Sequence, residues 1–126
     1  MIETSITFSM PMLPPSVNHY VLHPAEGVHI KSKEAKAFER DFPLWSRGRY
    51  VTGENFSVAI QFIPGKKQKG DVDNRNKCLL DCIAKAGMLR NRKGEELSDA
   101  WVKRLLVEIL EDRNQGPKTI VTIEAL

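Results

Sequence analysis

The chain has little of what would tie it to a membrane, to secretion or to zinc. No apolar run approaches the roughly 18 residues that a membrane-spanning helix needs. No basic segment followed by an apolar stretch opens the chain, so a signal peptide is not expected either. Cysteine is scarce: Cys78 and Cys82 are the only two in 126 residues. Four positions apart, they share a face of a helix, where rigid geometry disfavours a bridge. Without further cysteines or a nearby histidine pair they make no zinc site, and they read as small buried hydrophobes in a reducing compartment. A cytoplasmic protein without membrane association is the expectation. The three histidines, His19, His23 and His29, crowd one proline-broken stretch. His19 and His23 are four apart, but Pro24 denies them the helix that would make the spacing meaningful, and no Glu follows His19 as it would in a zinc-protease helix. Internal repeats, low-complexity tracts and linkers are also missing.

What is present suits one domain with a modest core: 41% of the residues are hydrophobic and 28% charged. The net charge of +3 is unevenly spread. Between Lys66 and Arg104 eleven Lys/Arg face six Asp/Glu, a balance of +5, and the rest of the chain carries −2. Positive charge gathered in one segment is the footprint of a polyanion partner, although a solvated charged face would have the same composition.

Hydrophobic periodicity outlines the elements. Ile2, Ile6, Phe8 and Met10 share one face of a first strand, which Pro11, Pro14 and Pro15 end. Residues 28–31 suit a short extended piece. Ser32 is placed to cap a helix from Lys33, with Ala35, Phe38 and Phe42 as its apolar side. Pro43 is expected to end or kink that helix, with Leu44 and Trp45 continuing the buried surface. Phe56, Val58, Ile60 and Phe62 alternate in a second strand. Cys78, Leu79, Cys82, Ile83 and Ala86 form the stripe of a second helix, with Asp73 or Asn74 as its cap and Gly87 as its stop. Residues 88–98 read as a polar loop. Residues 101–111 fit a helix or a strand, and the strand is chosen, paired as a hairpin with a last strand whose Thr119, Val121, Ile123 and Ala125 share a face. The fold class expected is α+β: a mixed sheet packed against two main helices.

One stretch concentrates the chemistry: Gly70-Asp71-Val72-Asp73-Asn74-Arg75-Asn76-Lys77, preceded by Lys66, Lys67 and Lys69. Two carboxylates two residues apart at a loop-to-helix junction suit a hard cation, and the flanking bases suit phosphate. Asp99 supplies a third carboxylate, and Lys77 a cation for transition-state charge. Ordinary readings stand beside this one: Asp73 as a helix cap, and Asp71 in a surface ion pair. A calcium loop does not fit, because Arg75 takes a ligand position, Asn76 replaces the required Gly and Cys82 replaces the closing Glu.

Several pieces, in order, resemble the RusA family of Holliday-junction resolvases, small phage and bacterial endonucleases. Pro14-Pro15-Ser16-Val17-Asn18-His19-Tyr20 looks like the family's Pro-Pro-Ser-x-Asn-x-Tyr segment, and Ser32 to Phe38 is similar to its first helix. Asp71-Val72-Asp73-Asn74-x-x-Lys77 with the later Leu80-Asp81 matches its hallmark, and Ser98-Asp99-Ala100-Trp101-Val102 looks like its Asp-Asp-x-x-Val element. The resemblance implies a RusA-like α+β domain over residues 1–126, acting as a homodimer that resolves four-way DNA junctions in recombination and repair by paired, symmetric nicks. It implies Mg²⁺, with Mn²⁺ as a substitute, held by Asp71, Asp73 and Asp99, with Lys77 as the catalytic lysine. Asn18, Tyr20, Lys66, Lys67, Lys69 and Arg75 are the residues expected to contact DNA. Ser98 departs from the pattern, standing where the family has the first Asp of a pair, and the loop Met88–Leu97 is longer than usual. Glu95 or Glu96 is the alternative ligand if the alignment shifts. The competing functions are a junction-binding protein that does not cleave, and a metal-dependent nuclease for other branched DNA.

Overall fold

Alternation of apolar and polar side chains builds a four-stranded mixed sheet, and two amphipathic helices cover one of its faces. The computed structural model describes residues 2–15, 21–22, 30–66, 75–112 and 114–126. The elements in chain order are β1 (Ser5–Met10), β2 (Val21–Leu22), β3 (Ile30–Lys31), α1 (Lys33–Ser46), β4 (Val51–Thr52), β5 (Phe56–Ile63), α2 (Asn76–Lys85), β6 (Leu89–Arg90), β7 (Val102–Ile109) and β8 (Lys118–Ala125), with a short 3-10 turn at Asp99–Trp101 before β7. The main sheet has the order β1-β8-β5-β7. β8 lies antiparallel to both β1 and β5, and β7 lies parallel to β5.

Ile6, Phe8 and Met10 of β1, Phe56, Val58, Ile60 and Phe62 of β5, and Val121 and Ile123 of β8 are all buried on the helix-covered face. Ile2 is not part of this set: the first strand begins only at Ser5, and Ile2 is exposed. Phe42 ties α1 to the sheet, edge-on to Phe8 at 5.8 Å between ring centroids and 6.0 Å from Phe38. Cys78, Leu79, Cys82 and Ile83 seat α2 on the same core.

Four local expectations are corrected. Pro43, expected to end or kink α1, does not end it; the helix runs on to Ser46 and closes at Arg47, whose left-handed backbone (φ 53) sends its N–H to the Pro43 carbonyl at 3.0 Å. Proline removes the bond to the carbonyl four residues back and crowds that carbonyl with its ring, but the burial of Ser46 with Trp45 packed 5.9 Å from Phe38 holds the last turn. Leu44 is exposed there, not buried. The cap of α2 is Arg75, without a side-chain cap bond, and Asp73 and Asn74, the expected caps, lie outside the described residues. Residues 88–98 are more than a polar loop. Gly87, at φ 68, turns the chain back after α2, and Met88 and Leu89 drop into the core at 0% exposure. Leu89–Arg90 then pairs parallel with Val51–Thr52.

The expected hairpin is the largest correction. Residues 102–109 are a strand, but β8 does not pair with them; β8 fills the slot between β1 and β5. β7 is reached from β5 through α2, the crossover that parallel strands require. β8 has a buried face along most of its length, Thr119, Val121 and Ile123, and only an interior position provides a neighbour on each side.

The two cysteines behave as expected, buried and unbridged. The hydrogen bond to Cys82, burial, and the nearby negative charge of Glu39 and Asp81 push the Cys78 thiol far above the usual thiol range. In the native protein Cys78 should therefore resist a thiol reagent at pH 8 and react only after denaturation, which a timed labelling experiment reads directly. The unfolded thiol ionises above about 8.5 while the folded one keeps its proton. This contribution to stability is thus present below that pH and is lost as pH rises further.

Candidate nucleic-acid and metal site

Of the site expected from the sequence, the described residues are Lys66 after β5, Arg75 and Lys77 at the start of α2, and Asp99 in the 3-10 turn. α2 starts at Asn76 and places Lys77 in its first turn, exposed to solvent. A helix N-terminus with unpaired N–H groups favours anions, and an exposed lysine there adds a point charge to that field. Lys66, just beyond the end of β5, is also exposed. Asp71, Asp73, Lys67, Lys69, Asn18 and Tyr20 lie outside the described residues.

Arg75 is half-buried, and its Nη1 donates to the Pro14 carbonyl at 2.6 Å. This bond joins segments 61 residues apart: the proline-rich stretch after β1 and the end of the acidic stretch before α2. Thr119 reinforces the same corner, donating its hydroxyl to the Met12 carbonyl at 2.7 Å. Sequence reasoning placed Arg75 among surface DNA contacts and missed this second use. No local pattern announces it, because the two partners stand 61 positions apart in the chain. Replacing Arg75 with Ala should cost about 2 kcal/mol, the scale for a hydrogen bond to a charged group. Urea unfolding tests this, and a loss below about 0.5 kcal/mol would contradict a structural role for the bond.

Asp99 opens the 3-10 turn at the start of β7, with its carboxylate exposed. Ser98 caps that turn, its Oγ accepting from the Ala100 N–H at 3.3 Å. α2 packs against this turn, so the elements carrying Lys77 and Asp99 are neighbours. Among the described residues, the two side chains make no hydrogen bond or ion pair with each other. Glu96 lies 3.9 Å from Arg90 and so has a structural partner, and Glu95 is exposed, its carboxylate 3.4 Å from the Asn91 amide. Among the described residues no three His, Cys, Asp or Glu side chains gather into a metal-binding group. No described helix is long and apolar enough to cross a membrane.

The arrangement offers an exposed cation at a helix start, an exposed carboxylate on the neighbouring turn, and a bond that draws the Pro14 segment to the first residues of α2. A scan against models of known protein families finds no match, and a search of curated proteins finds none either.

Proposed function

We propose that the chain is a magnesium-dependent endonuclease for branched DNA, with four-way junctions as its substrate and a homodimer as its working form. The observation that carries this reading is the Arg75–Pro14 bond. It brings Pro14 and Arg75 together across 61 positions of chain, although nothing in that separation requires it. Pro14, which opens one stretch that resembles the resolvase family, thus meets Arg75, which lies within another.

Cleaving a phosphodiester needs an activated water, a stabilised leaving oxygen and neutralised phosphoryl charge. Mg²⁺ supplies these when bound, and it prefers hard carboxylate oxygens such as those of Asp71, Asp73 and Asp99. The exposed Asp99 carboxylate, uncommitted to any neighbour among the described residues, suits such a role. In this reading Lys77, exposed in the first turn of α2, holds a phosphate oxygen and offsets charge that grows in the transition state. Lys66, Lys67 and Lys69 neutralise backbone phosphates, with Arg75, Asn18 and Tyr20 adding contacts, so binding should weaken steeply with salt. A two-fold homodimer presents two equivalent sites to a substrate that is itself nearly two-fold symmetric. Nicking of a synthetic junction in magnesium, abolished by chelation and restored by Mg²⁺ or Mn²⁺, tests the chemistry.

One observation favours a second reading, a junction-binding protein that does not cut. The Ser98 hydroxyl, at the position where the family has an acid, is engaged as the cap of the 3-10 turn. Tight junction binding without nicks in either metal would select it.

A further inference from the structure

The two edges of the main sheet are treated differently. The β1 edge is partly covered: Arg49 Nη1 donates to the Thr7 carbonyl at 3.2 Å, and just before the strand the Thr52 N–H bonds to the Glu3 carbonyl at 3.0 Å. Along β7 no backbone bond reaches the outer edge among the described residues. That edge is eight residues long, without Pro or Gly, and it exposes Leu105 and Leu106 at 43% and 51%. Long, bare, apolar edges are templates for another strand.

The register of β7 on β5 says which side chains share a face. Leu105, Val107 and Ile109 stand beside Val58, Ile60 and Phe62 on the helix-covered face. Arg104, Leu106 and Glu108 stand beside Ser57, Ala59 and Gln61 on the open face. Among the described residues, neither Arg104 nor Glu108 has a hydrogen-bond or ion-pair partner. Lys103 sits at the register shift and is drawn back toward the 3-10 turn, its Nζ donating to the Ala100 carbonyl at 3.0 Å.

We propose that β7 pairs antiparallel with β7 of a second copy about a two-fold axis at Leu106, joining the two sheets into one of eight strands. In that register Leu106 meets its own equivalent, Arg104 meets Glu108 of the partner subunit, and Glu108 meets the partner's Arg104. Leu105 meets Val107 of the partner subunit on the helix-covered face. Directly opposed residues of antiparallel strands are the pairs that decide such sheets, by opposite charge and by apolar contact. Moving the axis to Leu105 sets Arg104 against Leu106, and moving it to Val107 sets Glu108 against Leu106. Of these three, the Leu106 register alone matches charge with charge and apolar with apolar. The interface is isologous, so it closes at two copies and consumes both free edges. The choice of a second copy as occupant rests on the proposed dimeric reading; the location and the register come from the strand itself.

The test is the mass of the full chain in solution, without DNA or metal, by sedimentation velocity over a concentration series. Wild type should run at twice the 14.3 kDa chain mass. Arg104→Glu opposes Glu to Glu and should raise the dissociation constant at least tenfold; the double variant Arg104→Glu, Glu108→Arg should restore the dimer. Because Leu106 is half exposed, Leu106→Cys should fold, as circular dichroism can verify, and should form a covalent dimer on oxidation. Leu44→Cys, on α1 and exposed at 69%, should not. A monomer at every concentration, a dimer indifferent to Arg104→Glu, a swap that fails to restore it, or no cross-link at 106 would overturn the proposal. A monomer would remove the dimeric reading as well, whereas a dimer indifferent to Arg104→Glu would keep that reading and overturn this interface alone; with no DNA or metal present, neither outcome depends on whether the chain nicks junctions.

Discussion

Asp71→Asn should reduce magnesium-dependent nicking of a four-way junction by at least about 100-fold, the scale of losing one charged group that stabilises the transition state. Junction binding should stay within about twofold, because affinity comes mainly from lysines and arginines on phosphates. Asn keeps the size and one oxygen of Asp but removes the negative charge that a hard, strongly hydrated cation needs from its few protein ligands. The split between cutting and binding is what separates a metal ligand from a residue that merely holds the loop. A variant that lost both would point to a structural role for Asp71. One that cut normally in Mg²⁺ would remove Asp71 from the site altogether.

The largest stability effect is expected at Phe42. Its side chain is 1% exposed and contacts Phe8 of β1 and Phe38 one turn earlier on α1. Truncation to Ala removes the ring and leaves a cavity between the helix and the sheet, at a cost of about 3–5 kcal/mol. Domains of this kind are stable by only about 5–15 kcal/mol, so the urea midpoint should fall sharply. Leu44→Ala, two residues on, exposed and outside the core, should change stability by no more than about 0.5 kcal/mol. Equal effects at the two positions would contradict the packing of α1 described here.

Where the sequence was most regular, it was legible. β5 keeps strict alternation over Phe56, Val58, Ile60 and Phe62, and α2 keeps a helical stripe from Cys78 to Ile83; both elements lie where periodicity puts them. Periodicity also identified β7, through Leu105, Val107 and Ile109. Its partner was not legible. Which strand pairs with which is a non-local choice, and the turn-like residues 114–117 between β7 and β8 invite a hairpin that the sheet order denies. Gly116 in that turn lies so close to the Pro64 carbonyl at the end of β5 that a side chain there would collide with it, a contact no local pattern announces. Met88 and Leu89 were hidden for a related reason: two apolar residues in a charged stretch carry no period, and only the reversal at Gly87 makes them core.

The candidate site divides in the same way. Spacing and charge single out the carboxylates and lysines as candidates; of these Lys66, Lys77 and Asp99 are exposed, and Asp71, Asp73, Lys67 and Lys69 lie outside the described residues. The role of Arg75 could not be read this way, because a bond to a carbonyl 61 positions away leaves no mark on the local sequence. Nor does spacing reveal that Ser98 caps the turn on which Asp99 sits.

The measurement closest to the central claim is a map of nick positions on a synthetic four-way junction, set against linear duplex of the same sequence, with and without Mg²⁺. The account predicts magnesium-dependent nicks at symmetric positions on two opposing strands of the junction, and little cutting of the duplex. Nicks that are unpaired, equally frequent on the linear duplex, or independent of added metal would contradict it.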